Sequence, residues 1–125
     1  MTENIVKSKS YAFALRIVNL CLNLQEQRRE YVLSKQLLRS GTAIGALVRE
    51  AEHAESKLDF IHKMSIALKE ANETAYWLEL LRDAKLLSDR DYEPIHDNAV
   101  EILRLLTSIV NSAKRRPDHR QRLPR

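Results

Sequence analysis

Apolar residues recur at a helical spacing in four long stretches of this chain, and short polar links separate the stretches. The stretches cover about residues 10–25, 31–54, 56–84 and 88–113. Within each of them the apolar positions follow the i, i+3, i+4, i+7 pattern of an amphipathic helix. The predicted core positions are Phe13, Ile17, Leu20, Cys21 and Leu24 in the first stretch; Leu37, Leu38, Ile44, Val48 and Ala51 in the second; Phe60, Met64, Ala67, Leu68, Ala71, Ala75 and Leu78 in the third; and Tyr92, Ile95, Ala99, Ile102, Leu103, Leu106, Ile109, Val110 and Ala113 in the fourth.

The links between the stretches are short, so consecutive helices must run antiparallel. With only two Gly and three Pro in 125 residues, a turn-rich all-β fold is excluded. We therefore predict an all-α, antiparallel up-down-up-down four-helix bundle that occupies residues 1–113 as one domain. Ser56 and Ser88 each precede an acidic residue by three positions, which is typical of a helix start.

Two helix starts are less clearly marked in the sequence. Ser8 and Ser10 are candidate N-caps of the first helix, because a serine hydroxyl readily accepts a hydrogen bond from the first turn. Pro94 is tolerated only near the start of a helix, which would move the beginning of the fourth helix to about Glu93.

Charge is unevenly distributed along the chain. Residues 1–50 carry a net charge of +4, with eight basic and four acidic side chains. Residues 51–113 carry −5, with seven basic and twelve acidic side chains. Residues 114–125 carry +5, contain two prolines and almost no apolar residues, and are predicted to be a basic disordered tail.

The basic half and the tail make nucleic acid a possible partner, because lysine and arginine bind phosphate without regard to sequence. The alternative is that these side chains only solvate helix surfaces. No aromatic stacking platform accompanies them. The candidate nucleic-acid-binding residues are Lys7, Lys9, Arg16, Arg28, Arg29, Lys35, Arg39, Arg49, Lys114, Arg115 and Arg116.

A second apolar patch lies on the third helix, outside the arc that faces one bundle core. At 100° per residue, Ile66, Trp77 and Leu80 fall away from the main stripe and beside Glu70 and Glu73. Such a patch is typical of an interface between subunits, and these three residues are the candidate oligomer contact. Alternatively, Trp77 covers only the edge of its own bundle.

Both glycines, Gly41 and Gly45, lie inside the second helix, where each costs about 1 kcal/mol relative to alanine. One explanation is that a small face lets another helix cross closely. The other is a weakened helix that bends or opens for a partner.

Nothing in the sequence supports an enzyme. The motifs Glu50-x-x-His53 and Glu93-x-x-His96 resemble halves of a di-metal site. In the predicted bundle, however, they lie about 30 Å apart, and the first helix offers no carboxylate at mid-height. Cys21 is expected to be a buried structural thiol. We predict no catalytic, metal or cofactor site.

The sequence also indicates the cellular compartment of the protein. One cysteine cannot form an intramolecular disulfide, and the N-terminal residues lack the pattern of a signal peptide. No apolar run is long enough to cross a membrane. We therefore expect a cytoplasmic protein with no membrane partner.

Two stretches resemble a known family. The run from Arg39 to Ala51, RSGTAIGALVREA, and the run from Lys63 to Leu78, KMSIALKEANETAYWL, resemble the signatures of the 23S ribosomal-RNA intervening-sequence proteins. The resemblance covers about residues 5–113. The family often has Asn at the position of Leu47, so any polar role there does not carry over.

The resemblance implies an antiparallel four-helix bundle that assembles as a pentameric ring. A related branch, the accessory variability determinants of diversity-generating retroelements, forms basic pentamers that bind a reverse transcriptase and nucleic acid. We therefore expect a non-catalytic homo-oligomer that binds RNA or DNA, with a reverse transcriptase or another protein as a further possible partner. The alternative is a protein–protein scaffold with no nucleic-acid role.

Overall fold

Four α-helices account for nearly all of the chain in the computed structural model, which describes residues 2–117. The helices are α1 (Thr2–Gln27), α2 (Val32–Glu52), α3 (Lys57–Asp83) and α4 (Asp89–Arg115). Each helix packs against its neighbours in the chain, and α1 also packs against α4. This arrangement confirms the predicted all-α four-helix bundle.

One continuous apolar core runs through the bundle, and the predicted stripes line it. Most of the predicted core positions are buried, and the others, such as Leu20, Leu38 and Phe60, are half-buried and pack against that core. The helical spacing therefore identified the face that each helix buries.

Serine caps set the starts of α3 and α4. The Ser56 Oγ accepts a hydrogen bond from the Asp59 N–H at 3.0 Å, and the Ser88 Oγ accepts one from the Asp91 N–H at 3.2 Å. The prediction that α4 begins near Glu93 is wrong, because the helix begins at Asp89 and contains Pro94 in its second turn. Pro94 removes only one N–H near the exposed helix start, a small loss next to a well-made cap.

The start of α1 also differs from the prediction. The helix begins at Thr2, so Ser8 and Ser10 lie inside it and cap nothing. Val6 is fully buried and lies two turns before Phe13 on the same face, which extends the apolar stripe toward the N-terminus. Ser10 is also buried, and its hydroxyl donates to the Lys7 carbonyl within the helix.

A carboxylate, rather than a hydroxyl, caps α2. The Glu30 side chain accepts hydrogen bonds from the N–H groups of Val32, Leu33 and Ser34 at 3.0, 2.9 and 2.7 Å. Burial acts to raise the pKa of Glu30, but these backbone N–H groups outweigh it and hold the pKa below its ordinary value. The preceding Arg29 has φ of 53°, which turns the chain sharply between α1 and α2.

Close helix crossing explains Gly41. A Cβ at this position would lie 2.8 Å from the Cγ2 of Ile17, so only glycine fits between α2 and α1 there. At Gly45 a Cβ would be at an ordinary contact distance of 3.5 Å from Ser10. Because α2 is helical without a break across both glycines, the structure favours close crossing over a weakened helix.

The predicted boundary of the tail needs correction. Helix α4 continues through Lys114 and Arg115, because the hydrogen bond from the Arg116 N–H to the Ser112 carbonyl completes its last turn. The Lys57 ammonium also donates to the Arg116 carbonyl, which ties the end of α4 to the start of α3. Residues 118–125 of the predicted disordered tail lie outside the described residues.

Candidate functional site

The candidate nucleic-acid-binding residues lie at two opposite ends of the bundle and along the helices between them. The tail end is the end where α1 begins and where α2 and α4 finish; it carries Arg49 and the residues 114–116. The turn end, with the links α1–α2 and α3–α4, carries Arg28, Arg29 and Lys35. The two ends are separated by about 30 Å, the length of a helix of some 20 residues. The candidates therefore do not form a single patch on one subunit.

Several of these cations already have partners within the bundle. Lys7 pairs with Glu52 at 2.9 Å, and Lys9 pairs with Glu101 at 3.0 Å. Arg16 donates to the Asn98 side chain on α4. These exposed pairs add little stability, but they lower the positive potential along the middle of α1.

Other candidates are held by weaker contacts. The Arg28 guanidinium donates to the Lys85 carbonyl at 3.0 Å, and the Arg49 guanidinium lies over the Tyr11 ring at 5.2 Å. Five of the candidates are exposed and their side chains form no hydrogen bond, ion pair or cation–π contact with any residue in 2–117: Arg29, Lys35, Lys114, Arg115 and Arg116. These five are the side chains most available to phosphate.

Arg39 instead joins α2 to α3. Its guanidinium bonds to the Glu70 carboxylate at 3.2 Å and also to the Glu73 carboxylate. The Trp77 indole N–H donates to Glu73 at 3.0 Å. The hydrogen bonds from Trp77 and Arg39 hold the pKa of Glu73 below its ordinary value. The sequence placed Arg39 among the phosphate-binding candidates, and the structure shows it occupied by two carboxylates.

The candidate oligomer contact on α3 is only partly available. Trp77 is half-buried, packs against the core and lies edge-on to Tyr76, with ring centroids 5.0 Å apart. Ile66 and Leu80 are also half-buried. The exposed aromatic side chain of this face is Tyr76, at 56% exposure, which was not among the predicted contact residues.

A larger exposed apolar surface lies on α1, and the sequence analysis missed it. Tyr11, Leu15 and Leu22 are 54%, 51% and 49% exposed, and Val18 between them is half-buried. We call these four residues the α1 stripe. Their steps of four, three and four residues form a heptad pattern on the side of α1 away from the core. The signal was present in the sequence as a second apolar face on one helix.

The groups that could carry chemistry in residues 2–117 include the Cys21 thiol and the His, Asp and Glu side chains. Residues 2–117 contain no group of three His, Cys, Asp or Glu side chains placed to hold a metal ion. Burial, with a smaller contribution from Glu30, raises the pKa of the Cys21 thiol to about 12. The Cys21 Sγ lies 3.3 Å from the Ser34 carbonyl. A thiol in this state is a poor nucleophile.

A cavity of about 350 Å³ opens at the tail end between the start of α1, the end of α2 and the start of α3. Val48 and Met64 lie on its apolar side, and the Lys7–Glu52 pair lies at its polar side. Lys7 and Glu52 are therefore engaged with each other, and Glu3 also lines the cavity. Within residues 2–117, no helix is both long and apolar enough to span a membrane.

Comparison with known proteins agrees with the fold. The family model described as 23S rRNA-intervening sequence protein matches residues 2–108. A crystal structure from Bacteroides thetaiotaomicron VPI-5482, described as a protein with unknown function from the S23 ribosomal protein family, is 55% identical. The match covers 89% of this chain and 99% of that chain, with a TM-score of 0.88. The chain matches none of the curated proteins.

Proposed function

The chain belongs to the 23S rRNA-intervening sequence protein family, and we propose that it acts as a non-catalytic, homo-oligomeric bundle that binds RNA or DNA through exposed basic residues. The proposed assembly is a pentamer, and it would serve as an accessory to a nucleic-acid-processing partner. The observation that carries the proposal is the group of five exposed candidates whose side chains have no contact partner among residues 2–117: Arg29, Lys35, Lys114, Arg115 and Arg116.

Self-association would strengthen the binding of phosphate by these cations. On one subunit the two groups are about 30 Å apart and each contains only two or three charges, which is too few for strong phosphate binding. In a ring of parallel subunits, each group is repeated at one rim. Repetition raises the effective concentration of cations along a polyanion, so that several weak contacts act together.

Salt dependence tests the nucleic-acid part of the proposal. We expect the wild-type protein to bind a generic structured RNA at ~0.15 M salt and to release it at ~0.5 M salt, because each phosphate contact contributes about 0.7–0.9 to the slope of log K against log salt. The measurement is fluorescence anisotropy of labelled RNA across this range. Absence of RNA binding even at ~0.05 M salt would refute the proposal.

Charge-removal variants locate the binding residues. The double variant Arg29→Ala/Lys35→Ala and the triple variant Lys114→Ala/Arg115→Ala/Arg116→Ala should each weaken binding and lower the salt slope. The matched control is Lys9→Ala, which removes a cation that already pairs with Glu101. If Lys9→Ala weakens RNA binding as much per charge as the other variants, the unpaired cations are not the binding residues.

A second candidate function is a protein–protein scaffold in which the charge is incidental. The exposed α1 stripe favours it, since contiguous apolar residues on a surface are typical of protein contacts. The two functions differ in their response to salt, because an apolar contact persists at ~0.5 M salt while phosphate binding does not.

A further inference from the structure

The α1 stripe has the geometry of a surface that receives another helix. Tyr11, Leu15, Val18 and Leu22 keep the 3.5-residue repeat that lets one helix pack along another over three turns. The one charged residue between Tyr11 and Leu22 is Arg16, and its side chain reaches Asn98 on α4 rather than the stripe. The stripe is therefore an uncharged surface about 16 Å long.

Helix α2 supplies a second wall beside the stripe. Gly41 lies against Ile17 and Gly45 against Ser10 on the buried side of α1, while Arg49 near the end of α2 lies over the ring of Tyr11 in the stripe. Leu38, Thr42 and Ala46 follow at four-residue steps on the side of α2 that carries Arg49, which contacts Tyr11. The Thr42 hydroxyl donates to the Leu38 carbonyl at 2.7 Å, so it needs no partner outside the helix. The α1 stripe and these α2 residues border the outer surface between two packed helices, which we call the groove.

Charge indicates what occupies the groove. The α1–α2 side belongs to the part of the chain with net charge +4, and Arg49 lies at one end of the groove. Residues 51–113, which form α3 and most of α4, carry −5. The basic side of one bundle is thus complementary to the acidic side of another copy of the same chain.

The outer face of α3 offers the matching apolar surface. Tyr76 is 56% exposed, and Leu80 lies one turn further along the same helix. Two exposed acidic residues, Glu79 and Asp83, flank them. This face therefore combines apolar side chains with acidic neighbours, as the groove combines apolar side chains with the basic Arg49.

We infer that the α1 stripe of one subunit packs against the outer face of α3, around Tyr76 and Leu80, in the next copy of the chain. This inference rests on the self-association included in the proposed function and gives that self-association an interface. The contact is head-to-tail because it joins two different surfaces. Each subunit then uses both surfaces once, and contacts of this kind form a ring when the rotation between neighbouring subunits closes.

The test uses one variant on each surface, measured by light-scattering mass on the full chain at ~0.15 M salt. Leu15→Glu places a charge on the stripe, and Tyr76→Glu places one on α3. We expect each variant to be monomeric, with association weakened at least about tenfold, because a central apolar contact is lost and a carboxylate is forced into the interface. Ser108→Glu, which adds the same charge to an exposed position on α4, should keep the wild-type mass.

Mixing the two monomeric variants tests the head-to-tail arrangement. The Leu15→Glu subunit retains its α3 face, and the Tyr76→Glu subunit retains its α1 stripe, so one intact contact can form and the mixture should contain dimers. Helical content and thermal unfolding, followed by circular dichroism, show whether each variant folds. Leu22→Glu replaces Leu15→Glu if the latter unfolds.

The outcomes separate the inference from the proposed function. A Leu15→Glu variant with wild-type mass overturns the interface while self-association stands. Two monomeric variants that form no dimer on mixing overturn the head-to-tail contact. A monomeric wild-type protein overturns self-association itself, whereas RNA binding by the same samples tests the nucleic-acid part independently.

Discussion

Replacing each glycine of α2 by alanine should change stability in opposite directions. A Cβ at position 41 would lie 2.8 Å from the Cγ2 and 2.9 Å from the Cγ1 of Ile17. Ile17 is fully buried and β-branched, so no rotamer moves both γ carbons away. Overpacking of this kind costs about 1–3 kcal/mol. Alanine gains about 1 kcal/mol of helix propensity over glycine, which leaves Gly41→Ala net destabilised by up to about 2 kcal/mol.

Gly45→Ala gains the same propensity without the clash. Its Cβ would lie 3.5 Å from the carbonyl oxygen and from the hydroxyl of Ser10, an ordinary contact distance. We expect this variant to be more stable than the wild type by about 1 kcal/mol. Because the propensity term cancels between the two variants, their difference in free energy of unfolding isolates the clash at about 1–3 kcal/mol.

Urea unfolding followed by circular dichroism measures this difference. A double-mutant cycle identifies its source. Ile17→Ala alone should cost about 2–5 kcal/mol through the cavity that it leaves. In that background, Gly41→Ala should become stabilising, since the two γ carbons that it would approach below 3 Å are gone. Equal free energies of unfolding for Gly41→Ala and Gly45→Ala would refute the reasoning, as would an unchanged effect of Gly41→Ala in the Ile17→Ala background.

Three further predictions concern side chains with distinct roles. Glu30→Ala removes the carboxylate that caps α2 and should lower the free energy of unfolding, measured in urea, by about 1–2 kcal/mol. The control Glu26→Ala, at the exposed end of α1, should change it by less than about 0.5 kcal/mol. Because the pKa of Glu73 is lowered, its contribution to stability is present above the ordinary carboxyl pKa of 4.5 and is lost as the pH falls through the lowered pKa. Below pH 4.5, the free energy of unfolding of Glu73→Gln should therefore depend less on pH than that of the wild type. An identical pH dependence of the two proteins would contradict the Arg39–Glu73 contact. Cys21, with a pKa of about 12 and a buried side chain, should resist a thiol reagent at pH 8 in the folded protein and react once urea unfolds it; rapid labelling without urea would contradict its burial.

The fold could be predicted because each of its determinants is local. Apolar spacing identified four helices, and the hydroxyls of Ser56 and Ser88 marked two of their starts. The starts of α1 and α2 lack such a serine cap and were harder to predict. Ser10 resembles an N-cap in sequence, yet it packs inside α1, because buried Val6 continues the apolar face one turn before it. Glu30 replaces a hydroxyl cap with a carboxylate, which a search for serine or threonine does not find.

The candidate site was less predictable because its residues depend on the arrangement of helices in space. Arg39 and Arg29 both belong to the basic half of the chain and were both predicted to bind phosphate. The bundle places Arg39 against Glu70 and Glu73 and leaves Arg29 without an ion pair among residues 2–117. Trp77 lies outside the main apolar arc of α3, but its indole reaches Glu73 in the same helix and packs against the core. A pattern along one helix does not show which neighbour covers a side chain.

The α1 stripe shows a second reason why the site could not be predicted from the sequence. Its spacing was as regular as that of the core stripe on the same helix, so the sequence contained the signal. Periodicity identifies an apolar face without stating whether that face turns to its own core or to another molecule. Only the burial of Phe13 and Ile17, together with the exposure of Leu15 and Leu22, separates the two faces.

The order of helix contacts also has a kinetic consequence. Three of the four helix pairs join neighbours in the chain, and only the contact between α1 and α4 needs both ends of the sequence to meet. Contacts of low sequence separation form quickly, because little loop entropy is lost before they are made. We therefore expect fast folding in which the hairpins form first and the docking of α4 on α1 completes the bundle.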